Sequence, residues 1–297
     1  MNNQFGGTGV ALVTPFDANY KIDSEALGKI VDHAVRGGVD YLVVMGTTGE
    51  SVTIGESEKS LLLEVISTHK QDKPLVLGMG GNNTAKILEQ LESSDPDSYD
   101  AILSVCPYYN KPTQKGLINH FTMIADKSPR PVILYNVPGR TSVNLIAKST
   151  IELSKHPNII GIKEASGDFT QCIAIASNTD ENFLLISGDD VLALPLIAIG
   201  AKGLISVIAN ALPEEMSRIV RYGLNGQYKE ARNILHPISY LMELMFREGN
   251  PTGVKSLLSH LGLCSEQVRP PLIHASAELR DEIAGAYRKA GLTGGKA

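Results

Sequence analysis

Lys163 lies within the segment NIIGIKEASGD, directly after apolar residues among which an ammonium group would be expensive to bury. Ile159, Ile160 and Ile162 precede it, and Glu164 comes next. An amine in apolar surroundings favours its neutral form, because desolvation penalises the charge, and a neutral amine can attack a carbonyl carbon. The alternative is a structural lysine that pairs with a carboxylate at a strand end. On this segment alone, the structural lysine is the favoured interpretation.

Hydroxyl groups and one arginine follow other apolar segments of the chain. GTTGES places Thr47 and Thr48 between glycines, and such a turn offers hydroxyl and N–H groups to a carboxylate or phosphate. PYYN contains Tyr109, and YNVPGRT contains Tyr135 and Arg140. Each motif alone could be an ordinary turn, a packing ring or a solvated charge. Together they supply proton-transfer groups and carboxylate ligands, which an imine-forming lysine needs.

This combination of side chains suits a carbonyl substrate. A protonated lysine imine withdraws electrons, so the neighbouring carbon becomes acidic and an enamine can form. The chain shows neither a G-x-S-x-G motif nor a histidine placed for a catalytic triad, which disfavours a hydrolase. The histidines lack metal-ligand spacing, and GMGGNN lacks the spacing of a nucleotide-binding loop. We therefore predict imine chemistry on Lys163 with no metal and no separate cofactor.

Eight apolar segments rich in β-branched residues would carry these groups. Because they are apolar throughout, they are typical of parallel strands covered on both faces. Helical patterns alternate with them, which favours a (β/α)8 TIM barrel over a doubly wound sheet. The chemistry of such a barrel lies at the carboxyl ends of its strands. The predicted strands are residues 9–16, 40–46, 74–80, 99–107, 131–138, 159–165, 183–190 and 202–209.

The pattern changes after residue 209, where helical segments follow one another without strands. We predict a catalytic barrel domain over residues 1–212 and a C-terminal helical region over 213–297, with a disordered tail from residue 291. Pro213 is expected to begin a helix. In the first helical pattern, Ser24 is the expected N-cap and Gly37 the expected stop.

Composition and charge exclude several classes of function. The chain has 297 residues, 43% hydrophobic and 20% charged, and a net charge of −5 with no basic run, so nucleic acid is not an expected partner. No apolar run is long enough to span a membrane, and MNNQFGGTGV does not have the pattern of a signal peptide. Cys106, Cys172 and Cys264 are few and far apart, which indicates core residues in a cytoplasmic protein.

The motifs GTTGES, PYYNKPTQKG, YNVPGRT, GIKEASGD and SGDD, in this order and at these separations, resemble the dihydrodipicolinate synthase / N-acetylneuraminate lyase family of class I aldolases. The resemblance runs from GVALVTPF through the barrel and includes the helical C-terminal extension. It implies that Lys163 forms a Schiff base with pyruvate. Thr47 and Thr48 would hold the pyruvate carboxylate, and Tyr135 would relay protons. Thr47 would also link Tyr135 to Tyr109, which the family donates across a subunit interface.

The resemblance also implies roles for three further residues. Ile205 would place a backbone carbonyl near the imine, and Gly188 would leave room beside it. Arg140 would bind the carboxylate of the second substrate. Family members that act on sugar aldehydes generally lack this arginine, whereas those that use L-aspartate 4-semialdehyde have it together with both tyrosines. The expected reaction is therefore the condensation of pyruvate with L-aspartate 4-semialdehyde in diaminopimelate and lysine biosynthesis.

Other functions stay open at this point. The chain could be a different pyruvate-dependent aldolase, acting on N-acetylneuraminate or a 2-keto-3-deoxy sugar, or a ligand sensor without activity on this scaffold. A pyridoxal phosphate on Lys163 is a third alternative, although no phosphate loop is evident.

Two positions depart from the family pattern. Ser142 replaces the usual glycine after RT, which could alter the loop. Lys86 places a positive charge where the family's lysine-feedback site, near Glu56, would receive a cationic effector, so weak or absent inhibition by lysine is expected. The resemblance further implies a homotetramer built as a dimer of dimers.

Overall fold

A computed structural model describes residues 2–292 of the chain, and its centre is a closed barrel of eight parallel strands. Each strand pairs with the next one in sequence, and β8 returns to β1, so the expected (β/α)8 barrel is confirmed. The strands are β1 (Gly7–Ala11), β2 (Tyr41–Val44), β3 (Leu75–Gly78), β4 (Ala101–Val105), β5 (Val132–Asn136), β6 (Ile159–Glu164), β7 (Leu184–Ser187) and β8 (Gly203–Ser206).

Helices connect the strands and then continue beyond the barrel. The helices up to α8 belong to the barrel, whereas α9 to α12 follow β8 with no strand between them. They are α1 (Ser24–Arg36), α2 (Glu56–His69), α3 (Thr84–Ser93), α4 (Gln114–Lys127), α5 (Pro138–Thr141), α6 (Ala147–Leu153), α7 (Phe169–Asn178), α8 (Ala193–Ala198), α9 (Pro213–Leu224), α10 (Tyr228–Leu244), α11 (Thr252–His260) and α12 (Ala277–Lys289).

The strands bury side chains on both of their faces. Residues such as Val43, Ile133 and Ile205 fill the interior of the barrel. Their neighbours Leu42 and Leu134 point the other way and pack beneath the helices. This alternation explains why the strands read as continuously apolar in the sequence.

Most of the expected strands run one to three residues past the observed strand ends, and two further details are wrong. The first strand was expected over residues 9–16, but β1 begins at Gly7 and ends at Ala11, because Phe16 leaves the barrel and bridges to Ile22. The N-cap of α1 is Asp23 rather than Ser24, since the Asp23 carboxylate accepts a hydrogen bond from the backbone N–H of Ala26. The expected stop at Gly37 is confirmed as the C-cap of α1.

The C-terminal helices pack onto the barrel and onto each other. Pro213 begins α9 as expected, and α9 contacts β1 and α1. α12 contacts both α10 and α11. The boundary between residues 212 and 213 stays a prediction, and residues 293–297 of the expected disordered tail lie outside the described part of the chain. Within that part, no helix is long and apolar enough to cross a membrane.

Candidate active site

Lys163 lies inside the barrel at the carboxyl end of β6. It is 5% exposed, and its Nζ lies 4.5 Å from the centre of the Tyr135 ring. The two residues are partners in the register between β5 and β6. That register shifts by one residue after the pair Val132 and Ile159, so that Ile133 faces Gly161. Without this bulge Tyr135 would face Ile162, and the shift therefore brings Lys163 to the tyrosine.

Glu164 points to the opposite side of the strand, as the alternation of a strand predicts. Its buried carboxylate accepts hydrogen bonds from the Asn136 amide at 3.0 and 3.2 Å, from the Gln171 amide at 2.9 Å and from the Ser166 backbone N–H at 2.7 Å. Lys163 forms no ion pair with any residue between 2 and 292. The alternative of a lysine paired with a carboxylate at the strand end is thereby excluded for Glu164.

Gly188 lies against the aliphatic part of Lys163. A Cβ at this position would lie 3.1 Å from Lys163 Cε, 3.1 Å from the carbonyl oxygen of Glu164 and 2.7 Å from the Cβ of Ala165. The backbone N–H of Gly188 donates to that same carbonyl at 2.8 Å, which holds the two segments together. The missing side chain therefore leaves space directly beside the amine.

A cavity of about 400 Å³ opens next to Tyr135. Thr47, Tyr135 and Arg140 line it, so the structure brings three of the expected site residues to one space. Thr48 lies just behind Thr47, and its buried hydroxyl accepts a hydrogen bond from the Asn250 side chain at 3.0 Å. The cavity therefore combines hydroxyl groups and a cation at the carboxyl ends of the strands.

Arg140 stands on the short helix α5 that follows β5. Its side chain is exposed and forms no ion pair or side-chain hydrogen bond with another residue of the described chain. The turn after it depends on Ser142, which has a φ of +58°. Glycine adopts this left-handed conformation most easily, and a serine there is strained. The Thr141 hydroxyl, which donates to the Val143 carbonyl at 2.9 Å, helps to hold the turn with serine in place.

Two expected site residues occupy different surroundings. Ile205 is fully buried on β8 and packs in the same interior cluster as Tyr135. Tyr109 is 89% exposed with a φ of +73°, so the chain does not bring it to Lys163. The neighbouring Tyr108 lines the cavity instead. Whether Tyr109 completes the site of a second copy stays a prediction.

The expected feedback region is only partly assembled. Glu56 lines the outer part of the cavity, whereas Lys86 is exposed on α3 and does not line it. Weak inhibition by lysine stays a prediction.

The sequence reasoning missed Asp190, although SGDD was among the motifs. This carboxylate is buried and accepts hydrogen bonds from the Ser206 hydroxyl at 2.5 Å and from the backbone N–H groups of Val207 and Ile208 at 3.1 Å. Burial raises the pKa of Asp190, and these hydrogen bonds oppose that rise. Asp190 thus fixes the turn that follows Ile205. An aspartate three residues after the end of β7 was the available signal.

Cys106 and Cys172 are buried in the core, and the half-buried Cys264 packs against it, so none of the three has the surroundings of a nucleophile. Burial raises the pKa of the thiols of Cys106, Cys172 and Cys264 to about 12 in each case. A thiol in this state carries almost no thiolate near pH 7, and the thiolate is the reactive form. The cysteines therefore do not compete with Lys163, which stays the predicted nucleophile.

A (β/α)8 barrel that buries a lysine at the end of β6, beside a tyrosine that lines a cavity, is typical of lysine-dependent aldolases. Residues 4–290 match the dihydrodipicolinate synthetase family, and the chain belongs to that family.

Individual relatives agree with this assignment. The chain is 47% identical to the 4-hydroxy-tetrahydrodipicolinate synthase of Cytophaga hutchinsonii over 96% of both chains. The fold is similar to that of the dihydrodipicolinate synthase of Thermotoga maritima, with a TM-score of 0.94 and 33% identity over 98% of this chain and 100% of that one. It is also similar to the chloride-inhibited dihydrodipicolinate synthase of Acinetobacter baumannii complexed with pyruvate, with a TM-score of 0.93 and 36% identity over 97% of this chain and 99% of that one.

Proposed function

We propose that this chain is a lyase that performs the reaction of a 4-hydroxy-tetrahydrodipicolinate synthase. It condenses pyruvate with L-aspartate 4-semialdehyde in the diaminopimelate pathway to lysine. The observation that carries the proposal is the position of the Lys163 amine, which lies 4.5 Å from the centre of the Tyr135 ring with the space of Gly188 beside it. The names of the relatives support the same reaction.

The first step joins Lys163 to pyruvate. The amine attacks the ketone carbon, and loss of one water molecule gives a protonated imine. No cofactor is required, because the electron sink is the imine itself. Lys163 is 5% exposed and lies beside a cluster of apolar interior side chains, which limits the access of water to the imine.

The second step makes a carbon nucleophile and uses it. Removal of a methyl proton from the imine gives an enamine, whose carbon attacks the aldehyde of the semialdehyde. Tyr135 is the acid–base group that takes the methyl proton and gives a proton to the aldehyde oxygen. Thr47 links Tyr135 to Tyr109 of a second copy. Closure by the amino group of the second substrate onto the imine carbon then releases Lys163.

The remaining site residues bind the two carboxylates and shape the space. Thr47 and Thr48 hold the carboxylate of pyruvate by hydroxyl and backbone N–H groups. Arg140 binds the carboxylate of the semialdehyde, and its free guanidinium at the cavity suits a bidentate contact. Ile205 contributes a backbone carbonyl near the imine.

The quaternary structure and location form part of the proposal. Tyr109 projects from the chain with a positive φ, which suits a residue that enters the site of a partner. A homotetramer that is a dimer of dimers, working in the cytoplasm, agrees with this arrangement. Neither nucleic acid nor a membrane takes part in the reaction.

Turnover with alternative substrates tests the proposed reaction. The purified chain should consume L-aspartate 4-semialdehyde in the presence of pyruvate. It should show little cleavage of N-acetylneuraminate or of 2-keto-3-deoxy sugars, since Arg140 matches a second carboxylate. A clear preference for the sugars would overturn the proposal in favour of a sugar aldolase. Inactivity with every substrate would favour a ligand sensor without catalytic activity.

A further inference from the structure

Glu50 closes the GTTGES loop and is buried, with 3% of its surface exposed. Its backbone has a φ of +53°, a conformation that a glutamate rarely adopts. The backbone N–H of Glu50 donates to the Thr47 carbonyl at 3.1 Å, and its own carbonyl accepts from the Thr53 N–H at 2.9 Å. The backbone of Glu50 therefore ties Thr47 to the turn that ends the loop.

Lys255 on α11 neutralises the carboxylate of Glu50. It is fully buried, and its Nζ lies 2.5 Å from Glu50 Oε1 and 2.7 Å from the Gln267 carbonyl oxygen. The same ammonium lies 4.2 Å from the centre of the Phe16 ring. Glu50 Oε2 accepts from the backbone N–H of Arg269 at 2.9 Å. Both oxygens of Glu50 are thus held by the C-terminal helical region.

Two further contacts connect the same region to the loop. The Asn250 side chain donates to the Thr48 hydroxyl at 3.0 Å. The Arg269 side chain donates to the Thr53 carbonyl at 2.6 Å and forms an ion pair with Glu58 at the start of α2. The loop between β2 and α2 is consequently fixed by residues about two hundred positions away in the sequence.

We propose that Lys255 is a positioning residue for the proposed reaction, because its ion pair with Glu50 holds the Thr47–Thr48 loop in the geometry that binds the carboxylate of the keto acid. The inference rests on the proposed function and adds to it a role for the C-terminal region. Lys255 itself does not touch the substrate, and it acts through Glu50.

The charge of Glu50 gives the ion pair a second effect. A carboxylate in this loop would repel the carboxylate of the keto acid if it were unpaired, since the buried surroundings screen charge weakly. Burial lowers the pKa of Lys255, and the contact with Glu50 opposes that change, which agrees with a tightly coupled pair. The loop can therefore contain a carboxylate and still accept another one.

The test compares two carbonyl compounds that differ in the carboxylate alone. Borohydride trapping at Lys163 is measured by peptide mapping against the concentration of pyruvate and, separately, of acetone. The variants are Lys255→Met, Glu50→Gln and the double variant. Lys255→Met should raise the half-saturating concentration of pyruvate by about tenfold or more, as expected for a displaced carboxylate site. It should leave trapping of acetone unchanged.

The double variant separates positioning from general damage. Lys255→Met leaves an unpaired charge on Glu50, and adding Glu50→Gln removes that charge, so the double variant should bind pyruvate better than Lys255→Met alone. Arg247→Met is the control for loss of an ion pair in the same helical region, because Arg247 pairs with Glu282, nearer the surface, and forms no hydrogen bond or ion pair with the described residues of the loop. This control should behave like the wild type.

Two outcomes would overturn the inference. One is an unchanged half-saturating concentration of pyruvate in Lys255→Met, and the other is an equal loss of pyruvate and acetone trapping. If Lys255→Met does not fold, Glu50→Gln alone tests the role of the ion pair. This variant should weaken pyruvate binding and leave acetone trapping unchanged. A wild-type protein that traps no pyruvate would instead refute the proposed function, so the two failures are distinguishable.

Discussion

Lys163 and Tyr135 face each other across neighbouring strands because β6 contains one more residue than β5 between their first and last paired positions. The amine lies 4.5 Å from the centre of the tyrosine ring, and both side chains are buried. The proposed nucleophile and the proposed proton-transfer group are thereby held side by side on two paired strands. In the proposed mechanism, Lys163 forms the imine and Tyr135 transfers the protons.

Removal of the Tyr135 hydroxyl should slow the reaction without unfolding the chain. We expect Tyr135→Phe to lower kcat roughly a hundredfold or more, the size typical of lost acid–base catalysis, because the ring still fills its place. Steady-state kinetics with circular dichroism check this. Tyr228→Phe, at the edge of α10, is the control and should retain full activity. Wild-type kcat in Tyr135→Phe would exclude proton transfer by this hydroxyl.

A methyl group at Gly188 should disturb the amine. Gly188→Ala places a carbon 3.1 Å from Lys163 Cε, so the rate of imine formation with pyruvate should fall by about tenfold or more. Addition of borohydride after increasing times of incubation with pyruvate measures this rate. Gly285→Ala in α12 is the matched control, because a Cβ there meets no atom within 4 Å. The control should keep the rate and gain up to about 1 kcal/mol in the free energy of unfolding. Equal rates in both variants would contradict the packing argument.

Loss of Arg140 should affect the second substrate alone. Arg140→Ala should lower kcat/KM for L-aspartate 4-semialdehyde roughly 10- to 100-fold, the size of a lost charge-assisted hydrogen bond. Arg140→Lys should recover part of this loss, because it keeps the charge without the bidentate geometry. Pyruvate trapping on Lys163 should continue in both variants. Loss of trapping in a folded Arg140→Ala protein would show that Arg140 does not act on the second substrate only.

His120 should make the fold less stable in mild acid. Burial lowers the pKa of His120 to about 4, and its Nδ1 lies 2.8 Å from the Thr84 hydroxyl. In the unfolded chain a histidine binds a proton near pH 6.5. The contribution of neutral His120 to the free energy of unfolding is therefore fully present above that pH and is lost as the pH decreases toward 4. Between pH 7 and pH 5 the loss should be about 2 kcal/mol.

Urea unfolding at these two pH values checks the role of His120. In His120→Gln the free energy of unfolding should decrease by about 2 kcal/mol less between pH 7 and pH 5 than in the wild type, even if the variant is less stable at both pH values. The same pH dependence in the wild type and the variant would show that His120 is not the source.

The sequence predicted the barrel and much of the site because both depend on local patterns. The apolar segment before Lys163 marks a strand buried on two faces, and the alternation of strand side chains correctly directs Glu164 away from the amine. Thr47 and Arg140 each follow a predicted strand and Tyr135 lies near the end of one, so the barrel alone places them near one cavity.

The parts that were missed depend on long-range contacts. Nothing local indicates that Lys255 pairs with Glu50, because their contact forms only when the C-terminal helices pack on the barrel. A weak signal existed, since Lys255 lies among Val254, Leu257 and Leu258 on a helix that buries most of its residues. The bulge that aligns Lys163 with Tyr135 is likewise invisible in the sequence, because it is a property of the pairing of two strands.

Covalent trapping of the imine tests the central claim most directly. The chain is incubated with saturating pyruvate and borohydride, and the product is examined by intact mass and peptide mapping. The proposed mechanism predicts one reduced pyruvyl adduct per chain, on Lys163, and no adduct in Lys163→Ala. An unmodified Lys163 under saturating pyruvate, or an adduct on another lysine, would contradict it.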